Sequence, residues 1–145
     1  MESYKEMKER HQAEVNAFPF GFAFSGEQFR EMMEGWGLKE DDTDMIYRIP
    51  GGGFVQKKDH KAMHEMFSRH ETEMKNAIDA DTDGSGFVYQ MFRQELADHE
   101  FGYTGDVDDT IESLGFTREE IRSTPKLLNA LRTAAKDIAG MEVIV

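Results

Sequence analysis

Oxygen-bearing side chains alternate along residues 79–86, between two segments with helical periodicity. They are Asp79, Asp81, Asp83 and Ser85. Calcium is a hard cation that takes carboxylate, hydroxyl and carbonyl oxygens from alternating positions of a tight loop. Gly84 and Gly86 permit the sharp turn that such a loop requires. These residues therefore form a candidate calcium site.

The calcium interpretation depends on the register of the loop. When Asp81 is the first ligand, a glycine falls at position 6 and a valine at position 8, and residues 81–92 resemble the loop of an EF-hand. Position 12 supplies two ligand oxygens in that family, but here it is Phe92, and a register that starts at Asp79 places Gln90 there. Because the last acid is missing, a turn between two helices is the alternative, since aspartate and glycine favour turns.

Acidic residues are concentrated in the third quarter of the chain. Residues 76–120 contain 12 acidic and 2 basic side chains, which account for most of the net charge of −12. Such a field repels nucleic acid and attracts basic protein surfaces. Direct nucleic-acid binding is therefore disfavoured, and a basic protein is the expected partner. The candidate contact residues are Asp98, Glu100, Asp106, Asp108, Asp109 and Glu112.

Other patterns for catalysis or metal binding are sparse. His60 and His64 have the i, i+4 spacing that lets two imidazoles share one zinc ion, with His99 as a candidate third ligand. The sequence has no cysteine and no G-x-S-x-G motif, so the usual nucleophiles are missing. We therefore expect a non-enzymatic protein without a resident cofactor, with calcium binding and an unrecognised enzymatic activity as the alternatives.

The elements that position these residues are predicted from periodicity and from helix-start signals. Three S/T-x-x-E/Q sequences, at Ser3, Ser25 and Thr117, predict the starts of helices. Phenylalanine alternates along residues 18–24, which predicts a strand with four rings on the core face, and a glycine run predicts a hairpin near residues 45–56. The expected fold is α+β: a small antiparallel sheet covered by helices, followed by a helical C-terminal half.

The sequence also predicts the location and the domain organisation. Residues 1–10 are charged and lack the apolar core of a signal peptide. No apolar run is long enough to span a membrane, so a cytoplasmic protein without membrane contact is expected. No linker or repeat divides the chain, and residues 1–145 are predicted to form a single α+β domain. The oligomeric state is left open.

Several stretches carry a resemblance to a known family. They are GFVYQMFRQELADHEFGYTGDVDDTIESLGFT, FAFS, IPGGGF and HEMFSRHE. In these stretches the chain resembles an uncharacterised family of small acidic proteins from phages and conjugative elements of Firmicutes. The resemblance implies a mobile-element setting, where accessory proteins often counter host defence, and it transfers no active-site residue. Together with the charge distribution, it favours an anti-CRISPR or anti-restriction inhibitor that places carboxylates where DNA phosphates would bind.

Overall fold

The computed structural model describes all 145 residues and confirms the α+β fold with a small antiparallel sheet and a helical second half. We number its helices and strands in chain order. They are α1 (Tyr4–Ala17), β1 (Phe20–Phe22), α2 (Gly26–Gly35), β2 (Ile46–Ile49), β3 (Gly53–Gln56), α3 (His60–Ala80), α4 (Phe87–Asp98), α5 (Phe101–Thr104), α6 (Asp108–Ser113), α7 (Arg118–Ser123) and α8 (Pro125–Ala139). None of these helices combines the length and the apolar character that crossing a bilayer requires.

The chain divides into two compact units. The first, which we call the helical unit, consists of Met1–Gln12 and Glu73–Val145. The second, which we call the sheet unit, consists of Ala13–Thr72. Each unit is a set of residues that contact one another more than they contact the rest of the chain. Whether the chain folds as a single domain stays a prediction.

The sheet unit contains three short antiparallel strands in the order β1-β3-β2. Strand β1 covers the centre of the alternating phenylalanine segment and pairs Phe22 with Gly53 of β3. Pro19, which has no amide hydrogen for a sheet ladder, lies just before it. The predicted hairpin between β2 and β3 is confirmed. Its turn places Gly51 and Gly52 at φ +80° and +78°, the left-handed conformation that tight hairpin turns need.

The burial of the alternating phenylalanines differs from the prediction. The side chains of Phe22 and Phe24 are 56% and 76% exposed, so the expectation that all four rings belong to the core is wrong for these two. Phe24 lies beyond the end of β1, where no strand pairing holds it on the core face. The buried apolar side chains of this unit are instead Met33, Val55, Met63 and Met66.

The helical unit has a larger core, in which α4 and α8 pack against each other. Helix α8 starts with Pro125 in its first turn, where the missing amide hydrogen costs nothing, and ends at Gly140 with φ +65°. Its buried face carries leucine and alanine, and α4 contributes Phe87, Val88 and Phe92 among others. Phe92 is fully buried, so the residue at position 12 of the EF-hand register serves the core.

Two of the three predicted capping boxes form completely. Ser3 and Glu6 exchange hydrogen bonds at the start of α1, each through one side chain and one amide, at 3.1 Å. Thr117 and Glu120 do the same at the start of α7. At the start of α2, Ser25 accepts from the following turn as expected, but the Gln28 side chain reaches the amide of Phe24 instead of that of Ser25. The sequence signal therefore located all three helix starts.

Candidate functional site

The predicted calcium loop connects the end of α3 to the start of α4. Asp81 is half-buried there, and its Oδ2 accepts hydrogen bonds from the amides of Gly86 at 3.1 Å and Val88 at 2.9 Å. Amides in the first turn of a helix have no partner within the helix, and a carboxylate that accepts from them stabilises the helix end. Asp81 therefore caps α4 across the loop.

The remaining predicted ligands also have local roles. Asp83 Oδ1 accepts from the amide of Ser85 at 2.9 Å and from its hydroxyl at 2.6 Å. The hydrogen bond from the Ser85 side chain, followed by that from its amide, lowers the pKa of Asp83 below its usual value. Asp79 lies exposed in the last turn of α3. No set of three or more histidine or acidic side chains is grouped to hold a metal ion, so calcium binding stays a prediction that requires the loop to rearrange.

The loop is further fixed by α8. Gly84 has φ +80°, and a Cβ atom added there would lie 2.9 Å from the carbonyl oxygen of Lys126. The ammonium of Lys126 donates to the carbonyl of Ile78 at 2.8 Å, which satisfies an acceptor near the C-terminal end of α3. The aspartates and glycines of this segment thus build a tight interhelical turn.

The acidic contact residues fall into two groups. Asp98 forms an ion pair with Lys8, with Nζ and Oδ2 3.2 Å apart. Asp108 accepts from the guanidinium of Arg118, whose Nε lies 2.9 Å from its Oδ1. Both carboxylates are about half exposed, but each already has a basic partner within the helical unit.

The second group consists of exposed acidic side chains that form no ion pair, which we call the open carboxylates. They are Glu100, Asp106, Asp109 and Glu112. Asp106 also accepts from the amide of Asp108 at 2.8 Å, at the start of α6. Asp109 and Glu112 are three residues apart on α6 and share a helix face. No lysine or arginine occurs between Arg93 and Arg118, so the segment has no basic side chain of its own.

A buried carboxylate that the sequence did not single out lies in the helical unit. Glu95 of α4 is 5% exposed. Its Oε1 accepts from the hydroxyl of Tyr4 and from the ammonium of Lys8, the latter at 2.5 Å. The imidazole Nε2 of His99 is 3.6 Å from the other oxygen, Oε2. The hydroxyl of Thr110, which is also buried, donates to the Glu95 carbonyl at 3.3 Å.

The environment of Glu95 changes the titration of its neighbours. Burial, followed by the hydrogen bond to Glu95, raises the pKa of Tyr4 well above its ordinary range. Burial disfavours the charged form of Lys8, but its hydrogen bond and Coulomb attraction to Glu95, together with those to Asp98, outweigh that effect and raise the pKa of Lys8. At neutral pH the cluster therefore contains a neutral phenol and a charged ammonium beside the carboxylate.

Part of the signal for this cluster was present in the sequence. Val88, Met91 and Phe92 define the apolar face of α4, and Glu95 follows them at helical spacing on the same face. A glutamate at such a position needs a partner, because burial of an unpaired charge is costly. The partners, Tyr4 and Lys8, come from α1, more than 80 residues away, and no local pattern indicates that pairing.

The two histidines of α3 approach each other closely. Nε2 of His60 and Nε2 of His64 are 3.0 Å apart, and the ring of Tyr47 packs against His60 with 4.3 Å between centroids. No third histidine or acidic side chain is grouped with His60 and His64 to hold a metal ion. The predicted third zinc ligand, His99, is therefore not part of this pair's surroundings. His99 lies beside Glu95 instead.

The fold and these sites define a small α+β protein with an acidic helical unit, a buried Glu95 cluster and no group of three or more metal-ligating side chains. A family model matches residues 3–137, which is nearly the whole chain, and the chain belongs to that family, described as a family of unknown function (DUF7659). No curated protein and no solved structure matches the chain significantly.

Proposed function

We propose that this chain is a non-enzymatic binding protein that contacts a basic protein surface through the open carboxylates. The observation that carries the proposal is the segment between Arg93 and Arg118, which has no basic side chain and exposes Glu100, Asp106 and Glu112 without ion-pair partners. A basic partner gains Coulomb attraction from these groups, and no internal ion pair has to be broken first.

The paired acids have a smaller role in this proposal. Asp98 and Asp108 already interact with Lys8 and Arg118, so a partner must compete with a local cation for each of them. Charges at the rim of an interface mainly accelerate association and determine which partners are attracted. We therefore assign the main contact to the open carboxylates and a supporting one to Asp98 and Asp108.

The finer form of the proposal names a class of partner. The resemblance to acidic proteins of phages and conjugative elements, combined with the acidic segment, favours a cytoplasmic inhibitor of a nuclease in host defence. Nucleic-acid channels attract phosphates through lysine and arginine, and carboxylates can occupy the same positions. A Cas nuclease or a restriction enzyme is the proposed target, and its DNA-binding step is the one blocked.

The direct test measures whether the protein prevents purified Cas nucleases and restriction enzymes from binding duplex DNA. A variant with Glu100→Gln, Asp106→Asn, Asp109→Asn and Glu112→Gln removes the open carboxylates. A matched variant with Glu31→Gln, Glu34→Gln, Glu40→Gln and Asp41→Asn removes four exposed charges from the sheet unit. We expect the first variant to lose inhibition by about tenfold or more and the second to change little, since only the first alters the contact.

Salt provides a second readout of the same contact. Inhibition should weaken as ionic strength rises from 0.05 M to about 0.5 M, because exposed charges are screened over a shorter distance. Equal losses in the two charge variants would show that net charge, and not the open carboxylates, produces the effect. If no enzyme of either class is inhibited, the nuclease form of the proposal is wrong, and a surface-plasmon measurement on other basic proteins tests the broader form.

A further inference from the structure

A cavity of about 410 Å³ borders the Glu95 cluster within the helical unit. Its apolar wall is formed by Met74, Ile78, Met91, Leu114 and Phe116. Its polar lining is formed by Tyr4, Lys8, Glu95, His99 and Ser113. Pockets of this size, mostly apolar and with a few convergent polar groups, are typical of sites for small organic ligands.

One oxygen of Glu95 remains available in this cavity. Oε1 accepts from Tyr4 and Lys8, whereas Oε2 accepts no hydrogen bond, and His99 Nε2 lies 3.6 Å from it. Every completely buried side-chain nitrogen or oxygen atom has a hydrogen-bond partner, so Oε2, which has none, is not completely enclosed by protein. Glu95 also lines the cavity, and we infer that its unpaired oxygen is the atom that a ligand in the cavity contacts.

The charges around the cavity favour a cation. Lys8 donates to both Glu95 and Asp98, which leaves two carboxylates for one ammonium. An anionic ligand would have to approach these carboxylates, and the one lysine in the lining is already paired with both of them. An ammonium group can instead donate to Glu95 Oε2 and approach the hydroxyl of Ser113.

We propose that this cavity binds a small organic amine, with its ammonium on Glu95 Oε2 beside His99 and its apolar body against Met74, Leu114 and Phe116. The inference goes beyond the proposed partner contact and does not depend on it, because the cavity and the open carboxylates are different surfaces of the helical unit. The raised pKa of Lys8 is consistent with the excess of negative charge at this site.

Three probes of the same shape and different charge test the site on the full chain. They are 2-phenylethylamine, 2-phenylethanol and 3-phenylpropanoate, followed by amide and imidazole NMR shifts at neutral pH. We expect the amine to saturate with a Kd of about 1–10 mM, the range for a ligand of so few atoms. We expect the carboxylate to bind about tenfold more weakly or not at all, because like charges repel in the cavity. The resonances of His99 and Ser113 should move most.

Variants locate the binding. Glu95→Gln keeps an acceptor for Tyr4 and Lys8 but removes the charge, and should weaken amine binding about tenfold. Glu112→Gln removes the same charge from an exposed position outside the cavity and should leave binding unchanged. Ser113→Trp places a large side chain at an exposed position of the lining, and should block the amine even if Glu95→Gln does not fold.

The proposal is overturned by any of three results. The amine produces no saturable shifts up to about 20 mM, a concentration above the expected Kd range. The carboxylate binds as tightly as the amine. Ser113→Trp binds the amine with unchanged affinity.

Discussion

The helical unit and the sheet unit fill their cores with different residues. The helical unit buries aromatic, leucine and alanine side chains on α4, α5 and α8, among them Phe92, Phe101 and Leu131. The sheet unit buries three methionines and Val55, and leaves Phe22 and Phe24 more than half exposed. Methionine fills irregular space but specifies packing weakly. The difference implies that most of the apolar stabilisation comes from the helical unit.

The polar chemistry is distributed in the same uneven way. The helical unit contains the Glu95 cluster, where Tyr4 and Lys8 both donate to one oxygen of a carboxylate on a residue that is 5% exposed. Comparable ion pairs of the sheet unit lie at its surface, as between Glu14 and Arg69. A buried polar network constrains the positions of its members more than a solvated pair does. We therefore expect the sheet unit to open at a lower free energy than the helical unit.

The largest expected change in the free energy of unfolding comes from a comparison of one phenylalanine in each unit. Phe92→Ala removes a fully buried ring that packs on Phe116, and should lower the free energy of unfolding by about 3–5 kcal/mol. Phe24→Ala removes a ring that is 76% exposed, and should change it by less than about 0.5 kcal/mol. Urea denaturation followed by circular dichroism measures both. Equal losses would contradict the exposure of Phe24.

The next effect compares two glycines in left-handed conformation. Gly84→Ala places a Cβ atom 2.9 Å from the Lys126 carbonyl oxygen, so strain and overlap together should cost about 3 kcal/mol. Gly37→Ala in the sheet unit has φ +73° and no neighbour within 4 Å of the new atom, so only the backbone strain of about 1 kcal/mol applies. The difference between the two denaturation midpoints measures the packing of the interhelical loop.

A smaller effect is expected for the hydroxyl of Tyr4. Tyr4→Phe leaves the buried carboxylate of Glu95 without one donor and should cost about 1–3 kcal/mol. Tyr47→Phe in the sheet unit removes a hydroxyl that has no hydrogen bond, and should cost less than about 0.5 kcal/mol. If both variants unfold at the same urea concentration as the parent, the Glu95 cluster does not contribute to stability.

The free energy of unfolding should also depend on pH through the ionisation of Tyr4. Because the pKa of Tyr4 is raised in the folded state, the unfolded chain releases this proton first, at about pH 10. The contribution of Tyr4 to stability is thus complete below about pH 10 and is lost as the pH rises above it. Absorbance at 295 nm should show one of the four tyrosines ionising only with unfolding, and this component should be absent in Tyr4→Phe.

The smallest effect compares two helix caps. Asp81→Ala removes the acceptor for the amides of Gly86 and Val88 at the start of α4, and Ser25→Ala removes the acceptor for the Gln28 amide of α2. Each should cost about 1 kcal/mol, with the larger loss at Asp81 because it accepts twice. Thermal unfolding in EDTA measures both.

The same thermal unfolding experiment, repeated with calcium, tests the role of the interhelical loop. A rise in Tm on adding calcium that is lost in Asp81→Ala would support the calcium alternative and require the loop to rearrange. If calcium has no effect on the parent chain, capping of α4 is the remaining role of Asp81.

Local signals predicted much of the fold. The capping boxes at Ser3 and Thr117 depend on side chains and amides within one helical turn, so the residue types at these positions are enough to predict them. Gly51 and Gly52 favour the hairpin because few other residues adopt positive φ at two successive loop positions. The exposure of Phe24 was not predictable in this way, because alternation defines a face but does not show how far the strand pairing extends, and β1 ends at Phe22.

The sequence by itself determined the element types, the helix starts and the unbroken acidic stretch between Arg93 and Arg118, since each depends on neighbours along the chain. Tertiary structure decided which acids remain open, because the partners of Asp98 and Asp108 come from other elements. It also decided the role of Glu95, whose hydrogen-bond donors lie on α1, near the start of the chain. Hydrogen bonds and ion pairs depend on distances of a few ångströms, which only packing of distant elements sets.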